Sequence, residues 1–197
     1  MKENKLIIAS SNKGKIKEFQ KILPDFVCIP LSVFNISDVE ETGKDFEENA
    51  ILKAKNAFTK TNISSVGDDS GLIVPAINNE PGLYSARYAG LNATDSDNRN
   101  KLISKLKDNK LESTYAYFFC CIVAVGIKGQ NEIIVCSGKV EGEVRTIERG
   151  EKGFGYDPMF YPKGYSESFA ELNSLEKNKI SHRGQALKKL MDKLNKT

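Results

Sequence analysis

The sequence predicts an α/β fold, in which helices pack on a β-sheet. Strand-like apolar runs alternate with stretches whose apolar residues recur at helical spacing, and polar turn-forming clusters separate them. The chain has 197 residues, of which 40% are hydrophobic and 28% are charged, as in an average globular protein. Because no internal repeat or linker interrupts it, we predict one folded domain over residues 1–197.

The first predicted unit is a strand, a polar loop and a helix. Lys5 to Ser10 is a strand-like run that stops at the turn-forming cluster Ser11-Asn12-Lys13-Gly14. The next apolar residues are spaced as on one face of a helix, which Pro24 ends. Those apolar residues are Ile16, Phe19, Ile22 and Leu23.

A second strand and a longer helix follow. Phe26 to Leu31 is predicted as the strand, and an acidic loop then reaches Gly43. Asp45 can cap the next helix, with Glu48 three residues later as in a capping box. One face of this helix carries Phe46, Ala50, Ala54, Ala57 and Phe58.

The middle of the chain is predicted to contain a broken strand. Ser64 to Val66 and Leu72 to Val74 flank Gly67-Asp68-Asp69-Ser70-Gly71, which has the composition of a polar turn. Asn78 to Asn98 is rich in turn formers and is expected on the surface, before a helix over Arg99 to Lys107.

The rest of the chain is predicted to hold two long strands and a terminal helix. Thr114 to Ile127 and Glu132 to Glu143 would pair through a turn at Lys128-Gly129-Gln130-Asn131. The longest apolar run, Tyr115 to Ile127, is shorter than the roughly 20 residues that a membrane-spanning helix needs. After a loop-rich stretch, a helix is predicted over Ser181 to Leu194, with an apolar stripe at Ala186, Leu187, Leu190 and Leu194.

Charge and cysteine content restrict the expected partners and compartment. The formal net charge is only +3, which predicts neither a nucleic acid nor an anionic membrane as partner. Met1 to Lys5 lack the apolar stretch of a signal peptide, so a cytoplasmic location is expected. The four cysteines have no C-x-x-C spacing and are expected to be reduced core thiols: Cys28, Cys120, Cys121 and Cys136.

The first strand-to-helix loop is a candidate phosphate site. It reads Ser10-Ser11-Asn12-Lys13-Gly14-Lys15. Backbone N–H groups at a helix N-terminus, a flexible Gly and two ammonium groups can hold an anion there. The pattern is neither a Walker loop nor a dinucleotide-binding fingerprint. An ordinary connection between a strand and a helix is the alternative.

Four acidic residues form a candidate metal and catalytic set. Glu40 and Glu41 lie on the loop before the Asp45 helix, and Asp68 and Asp69 lie in the predicted strand break. Mg²⁺ usually takes one or two protein carboxylates together with substrate phosphates. Such an ion would screen the phosphate charge, and a neighbouring Asp could accept a proton from the attacking water. The alternative is a turn with solvated acids.

Arg149 to Pro158 is a candidate nucleobase-binding segment. Three glycines around Phe154 and Tyr156 let the backbone approach a flat ligand, on which the aromatic faces can stack. Asp157 can accept an N–H group of a base. The alternative is a tight turn anchored by its aromatic residues.

Cationic side chains complete the candidate site. Glu176 to Gly184 brings Lys177, His182 and Arg183 to the start of the terminal helix, where cations oppose the helix dipole unless an anion or carbonyl binds. Lys53 lies on the polar face of the Asp45 helix, and Arg87 follows a Pro-Gly turn. Considered alone, Lys53 and Arg87 could each be a solvated surface charge, and a single His is more often a structural residue than a catalyst.

Together these segments resemble the inosine/xanthosine triphosphate pyrophosphatase family, also called the Ham1-like or RdgB-like family. Four matching motifs are S-x-N-x-x-K at 10–15, E-E-T-G at 40–43, F-x-E-N-A-x-x-K-A at 46–54 and D-D-S-G-L at 68–72. Three more are P-G-x-Y-S-A-R-Y at 81–88, G-F-G-Y-D-P at 153–158 and E-K-N-x-x-S-H-R-G-x-A at 176–186. The family's first motif usually reads T-G-N-x-x-K, so Ser10-Ser11 here departs from it, and Ser11 lacks the conformational freedom of Gly.

The resemblance implies an elongated α/β structure with a long twisted mixed β-sheet, two lobes and a central cleft, usually as a homodimer. It implies Mg²⁺-dependent hydrolysis of purine nucleoside triphosphates (ITP, dITP and XTP) to a nucleoside monophosphate and pyrophosphate. Asp69 would be the catalytic base and, with Glu40 or Glu41, a metal ligand.

The resemblance also implies a substrate contact for each remaining matched residue. The triphosphate would be held by Ser10, Asn12 and Lys15, with Lys53 adding charge, and Ser70 would contact the substrate nearby. The other candidate substrate contacts are Ser11, Lys13, Gly14 and Arg87. The base pocket would be formed by Phe154, Gly155, Tyr156, Asp157, Lys177, His182 and Arg183. Its donors would read the 6-oxo group that adenine lacks, since a donor facing an amino group has no acceptor.

Three other functions remain open from the sequence. A Maf-like pyrophosphatase acting on modified pyrimidine nucleotides shares the implied architecture. A nucleotide-binding module without catalysis would not need the acidic set. Binding of single-stranded RNA through Phe154 and Tyr156 is a third alternative, which the near-neutral charge disfavours.

Overall fold

The computed structural model describes residues 4–127 and 132–195. Within these ranges the strands are β1 (Lys5–Ala9), β2 (Val27–Pro30), β3 (Ser65–Val74), β4 (Glu80–Pro81), β5 (Ser113–Val125), β6 (Ile133–Arg145) and β7 (Phe160–Pro162). The α-helices are α1 (Lys13–Ile22), α2 (Phe46–Thr61), α3 (Asp95–Asp108), α4 (Ser174–Ile180) and α5 (His182–Asn195).

The strands form a mixed sheet. Its order is β2-β1-β3-β5-β6-β7, with β4 paired to β3 outside this path. Strand β1 runs parallel to β2 and β3, whereas β4 is antiparallel to β3 and β7 is antiparallel to β6. The predicted α/β class with a mixed sheet is therefore confirmed.

The chain divides into two compact units. Unit 1 comprises the described parts of residues 1–69, 120–138 and 183–197, and unit 2 comprises residues 70–119 and 139–182. The single domain, the elongated two-lobed shape and the central cleft stay predictions.

Each unit has its own apolar core. In unit 1, α1 and α5 supply buried residues beside β1, β3 and β5, among them Phe19, Leu187, Leu6 and Ile122. In unit 2, α3 contributes Leu102 and Leu106, which pack with the aromatic residues Phe118, Phe160 and Phe169. The cysteines, including the buried Cys120, are free, as expected.

Helix starts follow the capping residues in the sequence. The Asp45 carboxylate accepts the Glu48 N–H at 2.8 Å, which confirms the predicted start of α2. The start predicted for α3 was wrong, because Thr94 and Asp97 form a capping box and the helix begins at Asp95 rather than Arg99. Helix α4 was not predicted.

The predicted strand break was wrong, because β3 runs without interruption from Ser65 to Val74. Its two acidic residues, Asp68 and Asp69, are buried in the strand rather than solvated in a turn. Cationic side chains neutralise them, so the strand can continue through charged positions.

The two long strands were predicted correctly as β5 and β6. The turn predicted at residues 128–131 lies outside the described residues. No helix in the described ranges combines the length and apolar character that crossing a membrane requires.

Candidate active site

Asp69, the predicted catalytic base, belongs to unit 1. It lies in β3 and is 5% exposed. Lys53 donates to its Oδ1 at 2.9 Å, and the Asn49 amide donates to its Oδ2 at 3.1 Å. Because both oxygens are held, the carboxylate has a defined orientation.

Helix α2 presents both partners of Asp69. Asn49 and Lys53 are four residues apart and therefore share one face of the helix. Close packing brings that face to the strand: a Cβ built on Gly67 would lie 2.2 Å from the Ala50 carbonyl oxygen. The alternative interpretation of Lys53 as a solvated surface charge does not hold, since Lys53 is buried.

Glu41 shares the Lys53 ammonium with Asp69. The Lys53 Nζ lies 2.5 Å from Glu41 Oε1, and the Gly43 N–H donates to Asn49 Oδ1 at 2.8 Å, which ties this loop to α2. Glu40 is exposed. Of the two candidate glutamates, Glu41 is thus the one that contacts the same cation as Asp69.

The donor set around Lys53 fits a magnesium ion that also binds substrate phosphates. No group of three or more His, Cys, Asp or Glu side chains in residues 4–127 and 132–195 could hold a metal by itself. Glu41 and Asp69 already share a cation, and two carboxylates are a set that Mg²⁺ usually takes when phosphate oxygens and water complete its coordination.

Burial makes the Asp69 carboxylate a stronger base. Burial raises the pKa of Asp69, and nearby Glu41 adds to this, while Lys53 and Lys15 oppose it without reversing it. Burial alone would lower the pKa of Lys53, but Asp69 and Glu41 outweigh it and raise that pKa. Lys53 therefore stays charged, and Asp69 is a better proton acceptor than an ordinary carboxylate.

Asp68 has different partners, because successive side chains in a strand point to opposite faces. The Arg183 Nε donates to Asp68 Oδ2 at 2.7 Å, and the Lys15 Nζ lies 2.5 Å from Asp68 Oδ1. Arg183 also donates to Glu18 at 2.6 Å. Two acids and two bases thus form a buried charge cluster of Glu18, Asp68, Lys15 and Arg183.

This cluster explains the role of Asp68, which the sequence left undetermined. Burial opposes ionisation of Asp68, but Arg183 and Lys15 outweigh it and hold its pKa well below the usual range. Asp68 is therefore an ionised structural partner of these cations. Glu18 was missed by the sequence analysis, although its spacing of three residues from Lys15 on α1 is a helical one.

The candidate phosphate loop joins β1 to α1 as predicted. Asn12 caps the helix by accepting the Lys15 N–H at 3.0 Å, and Ser10 Oγ accepts the Asn12 N–H at 3.2 Å. The exposed Ser11 donates its N–H to Asp38 at 3.2 Å. Lys13 is exposed and Gly14 is half-buried in the first turn.

The candidate base-binding residues of unit 2 form a second buried ion pair. The Lys177 Nζ lies 2.6 Å from Asp157 Oδ2 and 4.8 Å from the centre of the Phe154 ring. The Phe154 N–H donates to the same carboxylate at 2.8 Å. The structure therefore brings these three residues together, with Lys177 supplied by α4.

Other predicted residues of this pocket are also buried. His182 stacks on Phe118, with ring centres 4.7 Å apart, and the Tyr156 hydroxyl donates to the Ser85 carbonyl at 2.9 Å. Arg183 binds Asp68 and Glu18 in unit 1, a set of partners that no local sequence pattern indicates. Its contact with a base stays a prediction.

The remaining predicted site residues are Ser70, Arg87 and Gly155. Ser70 follows Asp69 in β3 and is half-buried, and the guanidinium of Arg87 lies 5.4 Å from the centre of the Tyr84 ring. Gly155 has both backbone polar groups bonded to side chains of α3, a contact that no sequence pattern indicates.

Comparisons with known proteins agree on one family. The model of the Ham1 family matches residues 6–193. A dITP/XTP pyrophosphatase from Legionella pneumophila is 47% identical over 190 residues, which cover 96% of this chain and 97% of that protein. One from Idiomarina loihiensis is 43% identical over 202 residues, with all of both chains covered.

Solved structures give the same result. A HAM1 protein from Coxiella burnetii has a TM-score of 0.86 and 41% identity, covering 98% of this chain and 99% of that one. The Ham1 protein of Staphylococcus aureus has a TM-score of 0.83 and 44% identity, covering 97% and 98%.

Proposed function

This chain belongs to the Ham1 family, and we propose that it hydrolyses the purine nucleoside triphosphates ITP, dITP and XTP to a nucleoside monophosphate and pyrophosphate. Relatives that match nearly the whole chain are named dITP/XTP pyrophosphatases, which are hydrolases of acid anhydrides. The observation that carries the proposal is the buried Asp69, whose raised pKa and fixed orientation suit a general base.

Asp69 activates the water that attacks the α-phosphorus. The carboxylate accepts a proton as the water oxygen bonds to the phosphorus, and the bond from phosphorus to the bridging oxygen of the β-phosphate breaks. Pyrophosphate leaves with the electron pair of that bond. Lys53 and Asn49 hold the two oxygens of Asp69, so the base enters the reaction already oriented.

Glu41 and Asp69 are the residues that would hold Mg²⁺. When bound there, the ion would screen the charge of the phosphate oxygens and would make the phosphorus easier to attack. Lys53 would then contribute positive charge beside the phosphates.

The remaining substrate contacts divide between the two ends of the nucleotide. Residues Ser10 to Lys15 contact the polyphosphate at the start of α1. The base is contacted by Lys177, His182 and the residues from Phe154 to Asp157. The 6-oxo group of hypoxanthine or xanthine offers an acceptor to these donors, where adenine offers an amino group.

The decisive experiment measures pyrophosphate release from ITP with the wild-type protein and Asp69→Asn. We expect kcat to fall by about 10²- to 10⁴-fold, the usual contribution of a general base, with a smaller change in KM. Wild-type turnover by Asp69→Asn with unchanged nucleotide binding would refute the catalytic assignment. Glu41→Gln should raise the Mg²⁺ concentration needed for half-maximal rate, and Glu40→Gln is its matched control. The opposite result would transfer the metal contact to Glu40.

The same assay separates the alternative functions. The Maf-like alternative gains no support from the relatives, and a preference for a pyrimidine triphosphate over ITP, dITP and XTP would revive it. Nucleotide binding without pyrophosphate release would indicate a non-catalytic module. The homodimer and the cytoplasmic location belong to this proposal as well, and light scattering of the purified protein tests the former.

A further inference from the structure

The peptide of Gly155 is held on both sides by side chains of one helix. The Gly155 N–H donates to the Asp95 carboxylate at 2.7 Å, and its carbonyl accepts from Arg99 Nη1 at 2.9 Å. In the chain, Gly155 is 60 positions from Asp95 and 56 positions from Arg99. Every backbone hydrogen-bonding group of Gly155 is therefore occupied by α3.

Helix α3 holds the two side chains that contact Gly155 in a fixed arrangement. Asp95 and Arg99 are four residues apart and lie on the same face, and the Thr94–Asp97 capping box fixes the first turn. The Arg99 side chain is 16% exposed, and its Nε lies 3.0 Å from Glu148. A second contact thus limits the freedom of the guanidinium that binds Gly155.

Gly155 lies in the centre of the segment that carries the candidate base contacts. It has φ = +61°, a left-handed conformation that Gly adopts without strain, and a Cβ at this position would meet nothing within 4 Å. Phe154 on one side is fixed by its N–H bond to Asp157. The segment is therefore anchored through its peptide groups, while the space beside Gly155 is open.

We propose that Asp95 and Arg99 are positioning residues that set nucleobase selectivity by fixing the Gly155 peptide. This inference rests on the proposed function. They act through the backbone: with the peptide fixed, the Phe154 ring and the Asp157 carboxylate that holds Lys177 keep their positions. Loss of either contact frees the peptide, so donors that should meet the 6-oxo group lose their alignment.

For each residue, the test pairs a substitution that removes the hydrogen-bonding group with one that retains such a group. Asp95→Ala removes the acceptor, whereas Asp95→Asn keeps an acceptor oxygen and loses the same charge from the helix N-terminus. Arg99→Met removes the donor, and Arg99→Lys retains one. For each variant, kcat/KM is measured for ITP and for ATP, and thermal unfolding is recorded.

We expect the ITP-to-ATP ratio of kcat/KM to fall at least about tenfold in Asp95→Ala and Arg99→Met. A displacement of about 1 Å at a binding group can cost up to a hundredfold. Asp95→Asn and Arg99→Lys should keep most of the ratio, although Asp95→Asn alters the helix terminus as much as Asp95→Ala does. An equal loss in Asp95→Asn and Asp95→Ala would assign the effect to helix charge and overturn the inference.

The two proposals fail in different ways. If the wild-type protein releases no pyrophosphate from ITP, both the hydrolase function and the selectivity role are refuted. If the wild-type protein prefers ITP and all four variants keep that preference, only the positioning role is refuted.

Discussion

Replacement of Asp68 by Asn tests the buried charge cluster of Glu18, Asp68, Lys15 and Arg183. The substitution keeps the size of the side chain and removes one negative charge. Asp68 and Arg183 are each 1% exposed, so water cannot replace the lost partner. The Arg183 guanidinium keeps Glu18, while Lys15 loses its carboxylate contact.

The expected loss follows from this burial. Removing one partner of a buried ion pair costs about 3–5 kcal/mol, because the other charge stays buried without compensation. Whole domains of this kind are stable by about 5–15 kcal/mol, so the variant should lose a large part of its free energy of unfolding. For a chain of this length, that loss lowers Tm by roughly 6–20 °C.

Urea unfolding of the wild-type protein and the variant, followed by circular dichroism, gives the two free energies of unfolding. The double variant Lys15→Met, Asp68→Asn is the matched control, because it removes one charge of each sign and leaves the Glu18–Arg183 pair. We expect it to be more stable than Asp68→Asn alone. A loss below about 1 kcal/mol in Asp68→Asn, the value typical of an exposed pair, would refute the reasoning.

Three further predictions concern other parts of the chain. Thr94→Ala should lower the free energy of unfolding by about 1 kcal/mol in urea, because it removes the cap of α3; an unchanged value would contradict the capping role. Gly67→Ala should cost at least about 1–3 kcal/mol and also lower kcat, because its Cβ would press on the Ala50 carbonyl and displace α2; wild-type urea unfolding and kinetics would disprove the close packing. Burial raises the pKa of Cys28 to about 11 and that of Cys121 to about 12, from 9.0. Alkylation at pH 8 should therefore be slow in the folded protein and rise with pH. Because these thiols ionise at lower pH in the unfolded chain than in the folded protein, their contribution to stability is lost as pH rises through about 9 to 12. Rapid native-state labelling at pH 8 would contradict this prediction, because it would show that the thiols are accessible.

Local signals in the sequence predicted much of the fold. The Asp45 cap and the alanine-rich face of α2 lie within a few residues of one another, so pattern alone located this helix. Thr94 and Asp97 carried the same kind of signal, but the surrounding Asn and Asp residues resemble a turn. The start of α3 was misplaced for that reason.

Contacts between distant residues could not be predicted in the same way. Asp68 reads as a turn residue until Arg183, which is 115 positions away, is known to neutralise it. Lys53 reads as a solvated charge until Asp69 and Glu41 are placed beside it. The family motifs named these residues as functional, but they did not indicate which acid meets which base.

The Lys53 ammonium lies between Glu41 and Asp69 and stabilises this pair of carboxylates in the protein without a bound nucleotide. Two carboxylates facing each other would repel, yet here a covalently attached counter-ion keeps them together. Under the proposed function, folding would consequently not require Mg²⁺, and the ion could arrive already complexed to the nucleotide. Scarcity of magnesium would then stop the proposed hydrolysis without unfolding the protein.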